Sequence, residues 1–326
     1  MRKILFTGTN KAVLVDYKLG PLQAGYVRVR HLYSLISAGT EKYAIGSMTE
    51  KPKNIQPGYC AVGRIEQGGE TCGFKKNDIV FTHGTHVDVI DVLAETARKL
   101  FIPVDSKFAK QATFLQLGKV AIHGLHRVNI NIGDWIVVFG LGVVGNLTAQ
   151  LAALNSANRV LAVDPVATRR QIAENIGIKT LDSKQPDKID QIKDITGGGA
   201  NVIVETSGNE EALVKSFKIA AYGAQISLVG GHYGIRRLDM KTDFQNKELA
   251  IFGARRVDVL ADSTNNDFWT VVKCDEEFYK MIKNGQIDVK PLITHYVKPE
   301  DVLQIYNKLI NNDPEIVATI FIWHEE

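Results

Sequence analysis

Trp135-Ile136-Val137-Val138-Phe139-Gly140-Leu141-Gly142-Val143-Val144-Gly145 decides how the chain is read. Its first five residues are an unbroken apolar run, the pattern of a strand buried on both faces. Beyond it, Val144, Leu147, Leu151 and Leu154 recur at spacings of three, four and three, which predicts one stripe of a helix. Between strand and helix lies a G-x-G-x-x-G turn, weak alone but informative in this context. There Gly140 permits the tight turn, Gly142 lets a pyrophosphate approach the backbone, and Gly145 lets helix and strand pack closely. Amides at the helix start, at Val143 and Val144, then face phosphate together with the positive end of the helix dipole. The competing reading is a glycine turn packed for structure alone.

Asp164 strengthens the first reading. It ends the next apolar run, Arg159-Val160-Leu161-Ala162-Val163, nineteen residues after Gly145, where a carboxylate accepts hydrogen bonds from an adenosine ribose. A 2′-phosphate would meet a like charge there, so the sequence favours NAD. Arg169 and Arg170, five and six residues further on, leave NADP open.

Working outward, helices over 169–176 and 210–220 alternate with strands at Val202-Ile203-Val204, Gln225 to Val229 and Leu249 to Phe252. Strands alternating with helices predict a parallel sheet covered on both faces. Upstream of residue 118 the chain reads instead as short strands, Ala12 to Val15, Tyr26 to Arg30, Ala61 to Ile65 and Asp78 to Phe81, separated by glycine-rich turns. The last sixty residues predict helices near 276–283 and 299–309 and a strand at Ala318 to Ile322.

Composition bounds the function. The 326 residues, 45% apolar and 23% charged, describe two ordinary globular domains. A net charge of +3 with scattered basic residues argues against a nucleic-acid partner. Cys60, Cys72 and Cys274 make neither a disulfide framework nor a Cys-x-x-Cys zinc pair. The apolar run of the N-terminus, Ile4-Leu5-Phe6, is too short for a signal peptide, and glycines interrupt the longest apolar stretch. A soluble, cytoplasmic protein with no membrane partner is expected.

Pro57-Gly58-Tyr59-Cys60-Ala61-Val62-Gly63-Arg64-Ile65 resembles the Gly-His-Glu segment of medium-chain, zinc-type alcohol dehydrogenases. Gly73 to Val80, Ile132 to Gly145, Glu205-Thr206-Ser207-Gly208 and Pro291 to His295 continue a collinear likeness over nearly the whole chain. The resemblance implies an α/β fold: a Rossmann doubly wound parallel sheet over 118–267, and a GroES-like β-barrel domain formed by both chain ends, 1–117 and 268–326. It also implies nicotinamide-side cofactor contacts from Thr206, Gly208, Val229 and Gly230, a pyrophosphate contact from Arg255 or Arg256, and a homo-oligomer, dimer or tetramer, with Leu249 to Phe252 as a possible edge.

The departures from the family pattern are informative. Where the family carries its first zinc-ligand cysteine this chain has Ala38-Gly39-Thr40-Glu41, its ligand histidine is replaced by Tyr59, and its third ligand falls near Gln116. With imidazole, thiolate and carboxylate missing together, a zinc-free member is expected. Ser34 to Glu41 with Pro57-Gly58-Tyr59 is similar to a subgroup that includes bacteriochlorophyllide dehydrogenases and oxidoreductases of saccharide or secondary-metabolite clusters.

Without a Lewis acid, a side chain must stabilise the developing alkoxide and move its proton. By position Thr40 touches the substrate oxygen, Tyr59 points its phenol into the cleft, and Tyr43 stands near the family's relay histidine. Glu41, Lys119, His83 and His86 are further polar candidates. Each has a plainer reading: Thr40 and Glu41 holding a loop, Tyr59 filling vacated volume, Lys119 snorkelling, and at least one of His83 and His86 solvated. The expected activity is hydride transfer between NAD(H) and a secondary alcohol or ketone that is sugar-, cyclitol- or secondary-metabolite-like. The alternatives are an NAD(P)H-dependent enoyl or quinone reductase, or a dinucleotide-binding protein without catalysis.

Overall fold

A computed structural model describes residues 1–47, 54–156, 159–232, 238–254 and 269–325. The chain forms two compact units, one of Met1–Gln116, Val271–Lys283 and Val289–Glu326, the other of Leu117–Thr270 and Asn284–Asp288. Arg255 and Arg256 lie outside the described residues. No helix among the described residues is long and apolar enough to cross a membrane.

The first unit opens with a hairpin of β1 (Arg2–Gly8) and β2 (Lys11–Asp16). Then follow β3 (Tyr26–Leu35), α1 (Ala38–Gly46), β4 (Ala61–Gln67), β5 (Ile79–Thr82), β6 (Val89–Leu93), α2 (Ala94–Leu100), β7 (Ile102–Pro103), a single turn α3 (Ala109–Ala112) and the start of α4 (Leu115–His126). The chain returns to this unit with α9 (Val271–Lys283), β14 (Ile293–Val297), α10 (Val302–Ile310) and β15 (Ala318–Ile322), elements numbered here after those of the second unit. Among the described residues seven strands make one sheet in the order β14-β15-β3-β4-β5-β7, with β6 also paired to β3. Only the β14–β15 pair is parallel. This is the mainly antiparallel sheet expected of a GroES-like unit, and strands from both chain ends build it. β1, read above only for the shortness of its apolar run, is a strand because Ile4 and Phe6 alternate inward and are fully buried against Tyr306 and Phe321.

The second unit holds β8 (Ile136–Phe139), α5 (Val143–Ser156), β9 (Val160–Asp164), α6 (Ala167–Asn175), β10 (Lys179–Asp182), α7 (Lys188–Thr196), β11 (Ala200–Glu205), α8 (Glu210–Ile219), β12 (Ala220–Leu228) and β13 (Ala250–Gly253). Among the described residues six parallel strands run in the order β10-β9-β8-β11-β12-β13. β8 lies at the reversal of strand order, where doubly wound sheets bind ligands beyond their carboxyl ends. The four residues of β8 are at most 2% exposed, which explains their unbroken apolar character. Its Val137 and Phe139 pack with Leu161, Val163, Ile203, Phe217 and Ile226 in one core. The predicted stripe of α5 ends early: Leu147 and Leu151 are buried, whereas Leu154 in the last turn is 50% exposed. Among the described residues β13 ends the sheet, placing Ala250 to Phe252 at its margin.

A buried histidine in β3 sets an acid limit on the first unit. His31 is fully buried, its Nδ1 bonds Val87 O at 2.8 Å, and Thr82 Oγ1 lies 3.2 Å from Nε2. Burial lowers its pKa to about 4. Between about pH 6.5, the ordinary value, and that point the unfolded chain takes up a proton that the folded chain refuses, so stability falls with pH. Relative to His31→Gln, the wild type should lose about 3 kcal/mol more between pH 7 and pH 4, read from urea midpoints at both values. Equal losses in the two proteins would remove His31 as the cause.

Candidate functional site

In the second unit the glycine turn is built by exclusion. Gly140 has φ +91°, open to glycine, and a Cβ there would lie 3.0 Å from Ser207 N and Thr206 Oγ1. At Gly145 a Cβ would meet Gly140 O at 1.9 Å, so no other residue lets α5 approach β8 this closely. Gly142 differs from both, since a Cβ there would meet nothing within 4 Å. Space is thus left open beside the first turn of α5, at Val143 and Val144, where helix amides and dipole favour an anion.

Asp164, at the end of β9, is only 2% exposed. Its Oδ2 accepts from Leu141 N and its Oδ1 from Val166 N, both at 2.7 Å, so the carboxylate ties the glycine turn to the end of β9. A carboxylate offers about four lone-pair sites, which leaves capacity for a hydroxyl donor. Arg169 Nη1 stands 3.9 Å from Asp164 Oδ2. Arg170 donates to Asp164 O at 2.8 Å and pairs with Asp182 at 3.2 Å.

On the other side of β8, Thr206 Oγ1 donates to Phe139 O at 2.9 Å. Val229 N and Gly230 N both donate to Glu205 O at 2.9 Å, and Gly208, at φ +68°, donates to Glu205 Oε2 at 3.1 Å. The ends of β8, β11 and β12 therefore bring together Gly140, Thr206, Gly208, Val229 and Gly230. Sequence reasoning missed the pairing of Glu205 with His232, whose side chains are bonded at this edge. A histidine soon after an apolar strand was the signal available.

In the first unit, α1 begins at Ser37 and sets Thr40 beside Tyr59, which precedes β4. The Tyr59 hydroxyl bonds Ser37 Oγ and, at 3.1 Å, Thr40 Oγ1. Burial pushes the Tyr59 pKa well up, reinforced by Cys60, so the phenol keeps its proton at neutral pH. Tyr43, on the same helix, is 53% exposed.

Glu41 requires a correction as a polar group facing a pocket. It is 2% exposed, its Oε1 accepts from Ser37 N at 2.8 Å, and its carboxylate takes His86 Nε2 at 3.1 Å and the Tyr306 hydroxyl. With its oxygens engaged inside the unit, Glu41 holds the start of α1 rather than reaching a ligand. Of the two histidines, His86 is fully buried, whereas the His83 side chain is 24% exposed, with Nε2 3.6 Å from the buried Asp275 on α9. Lys119, on α4 and within the second unit, is 1% exposed and does not snorkel to solvent.

Ala38, Tyr59 and Gln116 supply no imidazole, thiolate or carboxylate, and among the described residues no three His, Cys, Asp or Glu are grouped to hold a metal ion.

Residues 143–274 match the family model of zinc-binding dehydrogenases. The chain is 26% identical to D-guloside 3-dehydrogenase of Escherichia coli K12 over 97% of both chains. Its fold matches galactitol-1-phosphate dehydrogenase from Escherichia coli with a TM-score of 0.81 and 18% identity, covering 99% of this chain and all of the other. An alcohol dehydrogenase from E. coli CFT073, complexed with NADH, matches with a TM-score of 0.79 and 17% identity over 99% of each chain.

Proposed function

We propose that this chain, of the zinc-type alcohol dehydrogenase family by sequence and of medium-chain dehydrogenase architecture by fold, is a zinc-independent NAD(H)-dependent oxidoreductase of polyol- or sugar-like secondary alcohols. It is an oxidoreductase that acts on an alcohol or the corresponding carbonyl. The open space at Gly142, between two glycines whose Cβ positions are blocked, carries the cofactor half of this reading. NAD fits that cradle, and NAD supplies the hydride donor and acceptor when bound.

The residues of this chain divide the work. Gly140, Gly142 and Gly145 shape the phosphate seat, with Val143 and Val144 amides facing the anion. Asp164 offers its remaining lone pairs to the adenosine ribose and opposes a 2′-phosphate, which favours NAD, while neighbouring Arg169 supplies the charge that would admit NADP. Thr206, Gly208, Val229 and Gly230 border the nicotinamide half. In the first unit, Tyr59 is the proton-bearing group, oriented by Ser37 and Thr40. A phenol with a raised pKa is a poor base at neutral pH and a competent donor to a developing alkoxide, so carbonyl reduction is the direction it serves best. The absence of metal-type donors at Ala38, Tyr59 and Gln116 supports metal-free chemistry, as in the bacteriochlorophyllide dehydrogenase-like subgroup. Three buried cysteines held as thiols suit a reducing, cytoplasmic setting, and β13, last in the sheet among the described residues, is where a second copy would pair.

Tyr59→Phe should lower turnover about tenfold or more while leaving the NADH dissociation constant unchanged, since only the proton carrier is removed. Calorimetry with NADH, a panel of polyols, sugars and ketones, and metal analysis of the purified protein test the whole reading. Unchanged turnover in the variant removes Tyr59 from the mechanism. Stoichiometric zinc, or no dinucleotide binding, overturns the assignment.

A further inference from the structure

Glu205 ends β11 with no exposure, a position where an unpaired carboxylate would be strongly destabilising. It is heavily bonded: Oε1 accepts from Ser207 N at 3.0 Å and from the Ser207 hydroxyl, and Oε2 accepts from Gly208 N at 3.1 Å and lies 2.5 Å from His232 Nε2. A Cβ at Gly230 would lie 2.9 Å from Oε2 and 2.4 Å from Gly208 N, so glycine is required where the turns after β11 and β12 meet. His232 lies just beyond Val229, Gly230 and Gly231, which follow β12, and its side chain is 9% exposed. In the neutral ring, giving Nε2–H to the carboxylate leaves Nδ1 as the acceptor.

The place of this pair in the sheet gives it a use. Dinucleotides lie across the reversal of strand order, one mononucleotide on each side. Asp164, on β9, marks one side of β8; Glu205 and His232, at the ends of β11 and β12, belong to the other. We propose that His232, oriented by Glu205, recognises the nicotinamide–ribose half of the dinucleotide, its Nδ1 accepting a hydrogen bond from a hydroxyl or carboxamide N–H of that half. This rests on the cofactor reading above, and it adds a residue that confers affinity for one half of the ligand only.

The test compares NADH with AMP, which lacks the nicotinamide half. His232→Ala should raise the NADH dissociation constant about tenfold, the loss of one hydrogen bond, and leave AMP binding unchanged. His232→Gln, which keeps a donor toward Glu205 but moves the acceptor, should show the same selective loss and serves if the alanine variant fails to fold. Unchanged NADH affinity in these variants, or equal weakening of NADH and AMP, overturns the proposal. A wild-type protein that binds neither ligand overturns the cofactor reading itself.

Discussion

Glu41→Ala should destabilise the first unit by about 3–5 kcal/mol, a loss typical of breaking a buried, hydrogen-bonded charge network. The carboxylate sits at one end of a chain of donors: Trp323 Nε1 donates to Ser34 Oγ at 2.8 Å, Ser34 lies 2.7 Å from His86 Nδ1, and His86 Nε2 faces Glu41. Tyr306 donates to it from α10, its phenol kept protonated by burial and by the neighbouring charge, and Ser37 N donates from the start of α1. Removing the carboxylate strands these three donors in an interior otherwise filled by Phe6, Ile36, Ile45 and Phe321. At about 2–4 °C per kcal/mol for a unit of this size, the melting temperature should fall by roughly 10 °C. Tyr306→Phe removes one donor and keeps the ring, so it should cost about 1–2 kcal/mol. Fluorescence of Trp323, part of the network, follows the transition. A Glu41→Ala loss below that of Tyr306→Phe would mean that the carboxylate does not organise the cluster.

That network also shows what the amino-acid sequence conveys and what it withholds. β8 and the start of α5 were legible because a fully buried strand, a glycine turn and a helical stripe are local patterns, complete within twenty residues. α1 was not: besides Glu41 only Ile45 is buried, so no apolar stripe announces a helix. β6 and β14 escaped for a similar reason, since most of their residues are partly exposed and they are held by pairing with distant strands. At the site, the meeting of Thr40 with Tyr59 followed from family position, but the inward turn of Glu41 depends on His86 and Tyr306, 45 and 265 residues away. Glu205 and His232, 27 residues apart, meet only because β11 and β12 are neighbours in the sheet. Polar pairing across such separations leaves no periodic trace.

The same local legibility allows fold and cofactor binding to be separated within one turn. Gly145→Ala would place a methyl 1.9 Å from Gly140 O and 2.5 Å from Thr206 Oγ1, with backbone and a bonded hydroxyl unable to yield. Overpacking of this severity should exceed about 3 kcal/mol and leave little folded protein. Gly142→Ala meets no atom within 4 Å and lies outside the left-handed region, so its melting temperature should match the wild type or rise slightly, as alanine restricts the unfolded chain. Its methyl would nevertheless fill the space where a pyrophosphate must approach the backbone, and NADH affinity should fall about ten- to hundredfold. Thermal melts and calorimetry on the two variants read these effects independently. A Gly142→Ala protein that binds NADH as tightly as the wild type would place the phosphates elsewhere, because no packing loss is available to mask the comparison.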